Sequence, residues 1–326
     1  MDDIANITGT DEDTLSSPSP SSFEFILLLI VEIPAILCVL IILVYLFSNW
    51  KIRVKHSLRN HIIQILVIIS FLHMTLDLPF TMNSYRLGYD QYRTIPFCQC
   101  WYWFDYTLIS TSIFLTATAS IQRHILIFSA HWLHIRKRKW FLHYLPILFC
   151  LIYPAGYYLI FIVLYSCDYS IDNDSLYCFD PCYVSNSILF NYDWIVNIAC
   201  PLLTIVIANL ILIIRVIHSM KRVRREQALT WKRQRKLTRQ LLTLSLLYIA
   251  GWAPSTCVSI VQTLAQPNLF DDYPQLKYCY YLTYFVCPLQ PFVCLIGLPD
   301  LRKKFKRKFK HMFTSRRVTP FVQIQS

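Results

Sequence analysis

Long apolar runs alternate with short polar connections along most of the chain. Each run is long enough, at about 1.5 Å per helical residue, to cross about 30 Å of hydrocarbon as an α-helix. The fourth and sixth runs are the clearest, because nothing formally charged lies between Lys139 and Asp168 or between Arg239 and Asp271. The pattern predicts an all-α membrane protein, a seven-transmembrane helix bundle with spans near residues 25–48, 60–83, 98–124, 142–165, 190–216, 238–264 and 278–298.

The two ends of the chain lie outside this seven-helix domain of residues 25–298. Residues 1–24 are acidic and rich in Ser and Pro, which predicts a disordered tail. In the other tail, residues 299–326, large apolar side chains recur every four residues between lysines and arginines: Leu301, Phe305, Phe309 and Phe313. This spacing predicts a short amphipathic cytoplasmic helix on anionic membrane lipid, followed by the C-terminal tail.

Composition and charge fit this reading. Hydrophobic residues make up 55% of the chain and charged residues 15%, with a mean hydropathy of +0.42, so lipid is the expected solvent. The formal net charge is +12. The basic residues concentrate in alternate connections, and only Arg86, Arg93 and Lys277 fall on the opposite side. The positive-inside rule then predicts a multi-pass plasma-membrane protein with an extracellular N-terminus. Because apolar spans separate the basic runs, no nucleic-acid partner is expected.

Two glycosylation sequons, at Asn6 and Asn173, both fall outside under this topology. The chain has only 5 glycines and no phosphate-binding loop motif. It also has no catalytic or metal-ligand spacing at a plausible shared depth. We therefore expect no enzyme activity, cofactor or metal.

Several motifs in their joint order resemble the class A, rhodopsin-like G-protein-coupled receptors over roughly residues 25–313. Cys98 precedes Gln122-Arg123-His124 by the family's third-helix spacing. Gly251-Trp252-Ala253-Pro254 is similar to the family's Cys-Trp-x-Pro, and Gln290-Pro291 begins a variant of its Asn-Pro-x-x-Tyr. The resemblance implies a receptor that acts on a heterotrimeric G protein at the cytoplasmic face. Its activation switch would comprise Arg123, Trp252, Pro254, Pro201, Ile113, Tyr248 and Pro291.

The resemblance also implies a disulfide between Cys98 and the second outer loop. That loop offers Cys167, Cys178 and Cys182, and spacing does not fix the connectivity; Cys182 is the favoured partner. The chain departs from the family at Gln122, Asn209, Gln290 and Cys294. Arg123 has no obvious carboxylate partner, which predicts signalling without ligand.

The spans carry four acidic residues toward their outer ends, which cost several kcal/mol in lipid unless they are paired or solvated. An acid-lined, outward-facing cavity favours a cation. Asp105 lies where several receptors bind a ligand's ammonium, and Tyr284 lies where a seventh-helix tyrosine often bonds that carboxylate. The acids could instead pair with Tyr, Ser or Asn and hold helices together. The predicted ligand-binding set is Asp105, Tyr284, Trp252, Asp193, Asp77 and Glu32.

The ligand class stays open between a basic peptide and a biogenic amine. A peptide is favoured, because the family's fifth-helix serines are replaced by Asp193, Trp194 and Asn197. A seven-span channel or transporter is the alternative from another class, and it would need deep charges or interrupted repeats. A retinal-binding light sensor is disfavoured, because Tyr284 stands where it would need lysine.

Overall fold

The computed structural model describes residues 22–48, 58–91, 94–128, 135–165, 178, 180–220, 228–265 and 273–297. Within these ranges the chain forms seven long helical stretches and no strand. The first three are Ser22–Ser48, Leu58–Leu76 continued by Leu78–Leu87, and Ile95–Phe128. The fourth runs through Arg136–Lys139, Trp140–Tyr144, Leu145–Tyr158 and Leu159–Leu164; the fifth through Ser187–Tyr192, Asp193–Ala199 and Cys200–Met220. The sixth is Ala228–Leu264, and the seventh runs through Lys277–Tyr281, Leu282–Phe285 and Val286–Gly297.

Five of the seven helices are long and apolar enough to cross a membrane by composition alone, namely the first, second, fourth, fifth and sixth. The third helix is diluted by many Ser and Thr side chains, and the seventh is interrupted by a 3-10 turn at Leu282–Phe285. The all-α, seven-helix architecture predicted from the sequence is therefore confirmed.

Prolines interrupt two helices next to acidic residues. Pro79 lacks a backbone N–H, and the second helix breaks two residues before it, at Asp77. The fifth helix contains a π-helical segment, Asp193–Ala199, which ends just before Pro201. Such wide turns accommodate the hydrogen bond that a proline removes. Both irregularities place a carboxylate within a span.

The bundle is packed around its centre and apolar on its outside. Leu66, Ile113, Ile205 and Tyr248 are fully buried and belong to one contiguous hydrophobic cluster between the helices. Many other large apolar side chains point outward, among them Ile152, Leu203 and Ile214. An apolar exterior of this kind is expected when lipid surrounds the helices.

The seventh helix packs against the sixth at Gly251. A Cβ atom added at this glycine would overlap the side chain of Val286. Glycine at this position therefore leaves room for the Val286 side chain of the seventh helix.

A disulfide joins the third helix to the connection between the fourth and fifth helices. The bond is Cys98–Cys178, with Cα atoms 5.7 Å apart, so the predicted pairing of Cys98 with Cys182 is wrong. Cys178 is held in place by its backbone, since its N–H donates to Asp90 Oδ2 at 2.6 Å and its carbonyl accepts from the Tyr102 hydroxyl at 3.5 Å. Cys182 is disulfide-bonded as well, in a separate bond.

Several sequence predictions lie outside the described residues. They are the tail of residues 1–21, the sequons at Asn6 and Asn173, and the amphipathic helix after the seventh span.

Candidate functional site

Two adjoining cavities open at the end of the bundle that carries the Cys98–Cys178 bond, which we call the disulfide end. The central cavity has a volume of about 200 Å³ and the side cavity about 430 Å³. Asp105 and Tyr284 line both. The third to seventh helices wall the central cavity, chiefly with Ile109, Asp193, Trp194, Trp252 and Tyr280. The second, third and seventh helices wall the side cavity, together with Asp90 and Asp180 from the connections.

Asp105 is the acid that both cavities reach. Its side chain is 15% exposed, and its Oδ1 lies 3.3 Å from His73 Nε2. Tyr284, predicted beside it, joins it as a wall residue of both cavities. The structure therefore brings together the two residues that the resemblance singled out for the ligand's cation.

Asp77 lies on the other side of the same histidine. Its Oδ2 is 3.4 Å from His73 Nε2, and its Oδ1 accepts a hydrogen bond from Trp101 Nε1 at 2.6 Å. Asp77 lines the side cavity, although only 1% of the residue is exposed. Asp77 and Asp105 thus flank one buried imidazole.

Sequence reasoning missed His73. No histidine is among the residues predicted to bind the ligand. The signal was present in the sequence, because His73 precedes Asp77 by four residues and so lies on the same face of one helix. An ionisable residue within a span is by default a functional candidate.

Glu32 is buried in the first helix with 3% exposure, and its Oε2 has no hydrogen-bond partner among the described residues. It is not among the described wall residues of either cavity. Of the four predicted acids, Glu32 is therefore the one that the structure leaves away from the cavity walls.

Asp193 lines the central cavity, but both of its carboxylate oxygens already accept hydrogen bonds from neighbouring side chains. Its Oδ1 accepts from the Tyr158 hydroxyl at 2.8 Å and from Asn197 Nδ2 at 2.6 Å, and its Oδ2 accepts from the Tyr183 hydroxyl at 3.0 Å. Tyr183 lies in the connection between the fourth and fifth helices, in the 3-10 turn Cys182–Ser185, and Tyr158 belongs to the fourth helix. This carboxylate therefore joins the fourth helix, the fifth helix and the loop, as the helix-holding alternative describes.

The connections contribute two more acids to the side cavity. Asp90 accepts from the Ser84 hydroxyl and from the Cys178 backbone, so it anchors the loop. Asp180 lines the cavity beside it, and burial raises the pKa of its carboxyl. Among the described wall residues of the two cavities there is no lysine or arginine.

Trp252 links the central cavity to the middle of the bundle. It lines the cavity and packs in the same hydrophobic cluster as Ile113 and Tyr248. The Tyr248 hydroxyl donates to Gln290 Oε1 at 2.6 Å, and Gln290 Nε2 donates to the Leu66 carbonyl at 2.7 Å. Gln290 thereby connects the second, sixth and seventh helices below the cavity.

The three prolines of the predicted activation switch occupy the expected helices. Pro254 and Pro291 lie inside the sixth and seventh helices. Pro201 follows the π-helical segment of the fifth helix.

Arg123 lies at the opposite end of the bundle and has neutral partners. Its Nη1 donates to Asn209 Oδ1 at 3.3 Å and its Nη2 to Ser245 Oγ at 3.5 Å, while the residue is only 4% exposed. Gln122, in the place of the family's acid, is bonded elsewhere, with its Oε1 2.7 Å from His143 Nδ1. The described contacts of the arginine thus contain no carboxylate.

A bundle of seven membrane-length helices, with an acid-lined cavity at one end and a buried arginine at the other, defines a seven-helix membrane receptor. The family model described as 7 transmembrane receptor (rhodopsin family) matches residues 35–293, and the chain belongs to this family. It is accordingly a multi-pass plasma-membrane protein of the G-protein-coupled receptor class, a class of receptors rather than enzymes, and the resemblance read from the motifs is confirmed. Comparison with curated proteins gave no match.

Proposed function

We propose that this receptor binds an extracellular cationic ligand, a basic peptide, in the two cavities and transmits its binding to a heterotrimeric G protein. The observation that carries the proposal is the position of Asp105, a partly exposed carboxylate shared by both cavities. In this proposal the disulfide end faces outward with the N-terminus, and the basic connections lie in the cytosol.

The charge of the walls supports a cation. Asp77, Asp90, Asp105 and Asp180 line the side cavity without a described basic residue. A cleft lined by one sign of charge concentrates ions of the opposite sign and accelerates their association.

Aromatic rings next to Asp105 add a second attraction. The rings of Trp101 and Tyr102 stack with centroids 5.8 Å apart and planes 9° apart, and both line the side cavity. Tyr85 and Tyr284 line it as well. Ammonium and guanidinium groups bind to such faces with about 0.5–2 kcal/mol.

The shape of the site favours a peptide over a single amine. The two cavities meet at Asp105 and Tyr284, so a ligand can place a cationic side chain at Asp105 and extend into both. On the fifth helix, Asn197 Nδ2 donates a hydrogen bond to Asp193 Oδ1. The two side chains bond each other and so do not replace the serines that bind a catechol in amine receptors. A small amine confined to the central cavity is the second candidate.

The proposed output is a shift between two helix arrangements. A ligand moves this equilibrium only by its differential affinity for the two states. Trp252 is in position to sense the ligand, because it lines the cavity and packs on the cluster that contains Ile113 and Tyr248.

The test is a screen of basic peptides and biogenic amines against cells that express the receptor with a G-protein dissociation reporter. Each peptide hit is repeated with its arginines changed to citrulline, which keeps the shape and removes the charge. We expect hits among basic peptides and a loss of potency of about a hundredfold with the neutral analogue. Hits confined to amines would favour the second candidate, and agonists that act equally well without charge would refute the proposal.

A further inference from the structure

Three potential metal ligands converge at the junction of the two cavities. One nitrogen of His73 and one carboxylate oxygen each of Asp77 and Asp105 all lie within 4.8 Å of one another. We call these residues the His73–Asp77–Asp105 cluster. We propose that it is a binding site for Zn²⁺, at which the metal ion takes the place of the ligand's cationic group.

The distances within the cluster suit a tetrahedral ion. His73 Nε2 is 3.3 Å from Asp105 Oδ1 and 3.4 Å from Asp77 Oδ2. A tetrahedral site with bonds of about 2.0–2.1 Å separates its ligand atoms by about 3.3–3.4 Å. Both ligand pairs that include the histidine therefore already have this separation, and the two carboxylate oxygens lie within 4.8 Å of each other.

The hydrogen bonds of the cluster are incomplete without an ion. Asp77 is only 1% exposed, yet its Oδ2 has no hydrogen-bond partner among the described residues. His73 Nε2 carries at most one proton and faces two carboxylates, so it cannot donate fully to both. An unsatisfied buried carboxylate oxygen is costly. A metal ion at this point would bind all three ligand atoms at once.

The outer contacts of the cluster resemble those that orient metal ligands. Trp101 Nε1 donates to Asp77 Oδ1 at 2.6 Å, which directs the other oxygen, Oδ2, at His73. Metal-binding side chains are commonly held in this way by a second hydrogen bond. His73 and Asp77 are four residues apart, so one helix presents two ligands on one face.

Charge balance favours a divalent ion. With Zn²⁺, a neutral His73 and two ionised aspartates, the net charge of the site is zero. An imidazolium between two ionised aspartates leaves one negative charge in a span, where an uncompensated charge is expensive, so one carboxyl would then have to hold a proton. The imidazole ligand favours Zn²⁺ over Mg²⁺ or Ca²⁺, which prefer sites made only of oxygen atoms.

The site can be reached from the side cavity, which both aspartates line. Asp90 and Asp180 line the same cavity and would attract cations toward the cluster. The fourth coordination position would face the cavity and be filled by water. Because Asp105 is also the proposed counter-ion of the peptide, Zn²⁺ and the peptide would compete; this competition rests on the proposed function, whereas metal binding does not.

The test uses purified, full-length receptor in detergent, freed of metal and with the exposed thiols of Cys100, Cys200 and Cys257 alkylated. Zn²⁺ is titrated against a chelating indicator. We expect one tightly bound ion per receptor and an affinity at least tenfold lower in His73→Gln and in Asp77→Asn. His218→Gln, at an exposed position in the last turn of the fifth helix, is the matched control and should bind as the unmodified chain does.

Equal Zn²⁺ affinity in the unmodified receptor and in folded His73→Gln would overturn the proposal and leave His73 as an imidazolium between two carboxylates. Should both variants misfold, the unmodified receptor decides alone. Co²⁺ should then give the intense visible absorption of a four-coordinate site, which Zn²⁺ abolishes, and Zn²⁺ should raise the unfolding temperature. A weak, octahedral Co²⁺ spectrum would contradict the site. Zn²⁺ binding that leaves peptide potency unchanged would retain the metal site and refute the shared use of Asp105.

Discussion

The two ends of the bundle differ in the sign of their buried charge and in how that charge is paired. At the disulfide end, Asp77 and Asp105 share one histidine, and Asp77 Oδ2 has no hydrogen-bond partner among the described residues. At the other end, Arg123 is nearly as buried but rests on the neutral oxygens of Asn209 and Ser245. One end has more carboxylate than its described partners neutralise, whereas the other has a cation with no described carboxylate.

This difference suggests different roles for the two ends, ligand binding at the disulfide end and restraint of the inactive arrangement at the Arg123 end. Excess negative charge facing a cavity favours an incoming cation, because the ligand supplies the missing partner. A buried arginine with neutral partners loses less when its contacts break, so helix movement at that end costs less. We therefore expect strong ligand dependence at the disulfide end and weak restraint of the inactive arrangement at the Arg123 end.

The largest expected effect comes from removing the charge of Asp105. Asp105→Asn keeps the shape of the side chain but leaves the ligand's cation unpaired, which costs about 3–5 kcal/mol. The potency of a cationic agonist should fall by about a hundredfold or more in a dose–response measurement with the G-protein reporter.

Asp105→Glu retains the charge and is the matched control for that variant; it should keep more potency than Asp105→Asn. An unchanged dose–response curve in Asp105→Asn, with normal surface expression, would remove this aspartate from the ligand site.

The second effect concerns the packing that connects the two ends. Gly251→Ala adds a methyl group that overlaps Val286, which should destabilise the receptor by about 1–3 kcal/mol, less the intrinsic gain from alanine in a helix. Thermal unfolding of the purified protein should show a lower midpoint. The double variant Gly251→Ala/Val286→Ala makes room for the methyl group and should recover part of the loss; equal stability of Gly251→Ala and the unmodified chain would contradict this packing.

A smaller effect is expected where a carboxylate is supplied to Arg123. Asn209→Asp places a negative charge at an atom that lies 3.3 Å from Arg123 Nη1, although it gives up the 2.7 Å bond to the Ile205 carbonyl. A net gain of about 1–2 kcal/mol for the restrained arrangement should lower ligand-free signalling about five- to thirtyfold.

Second-messenger output measured at rising expression levels would test this. The unmodified receptor should show output that grows with its level, and Asn209→Ala should match or exceed it. Flat output from the unmodified receptor would show that neutral partners are sufficient to restrain Arg123.

The smallest effect is a dependence of ligand affinity on pH. Asp180 is exposed at the surface, but the side cavity removes part of its water and so raises the pKa of its carboxyl, which becomes neutral at a higher pH than an ordinary aspartate does. Below that pKa the side cavity loses one negative charge, and the affinity for a cationic peptide should fall about two- to threefold, the effect of one partly exposed charge. Asp180→Asn should have the lower affinity at all pH values and lack this step.

The sequence was sufficient for the architecture because lipid imposes a simple rule. Every span must be apolar over a fixed length, so the run of apolar segments predicted the helices, although composition alone is sufficient for five of them and polar residues weaken the third and seventh. Asp105 was identified because a carboxylate in a span is rare and its spacing from Cys98 matches the family.

The rest depended on contacts between distant residues. His73 lies beside Asp105 because the second and third helices pack together. The hydrophobic periodicity of a single helix does not predict a contact between two helices. The disulfide was predicted wrongly for a similar reason, since Asp90, 88 residues away from Cys178, bonds its backbone. Asp193 carried the same sequence signal as Asp105, yet its bonds to Tyr158, Tyr183 and Asn197 set it apart.

The amide of Gln290 has a consequence for the middle of the membrane. Its Oε1 accepts a hydrogen bond from the Tyr248 hydroxyl and its Nε2 donates one to the Leu66 carbonyl, so both ends of the amide are satisfied without any charge. A carboxylate in this layer would need a counter-ion, and the occupancy of that counter-ion site would then depend on the salt concentration outside the cell. With an amide in this position the three helices are joined by hydrogen bonds between neutral groups, and we expect that replacing external sodium by a bulky organic cation leaves this junction unchanged.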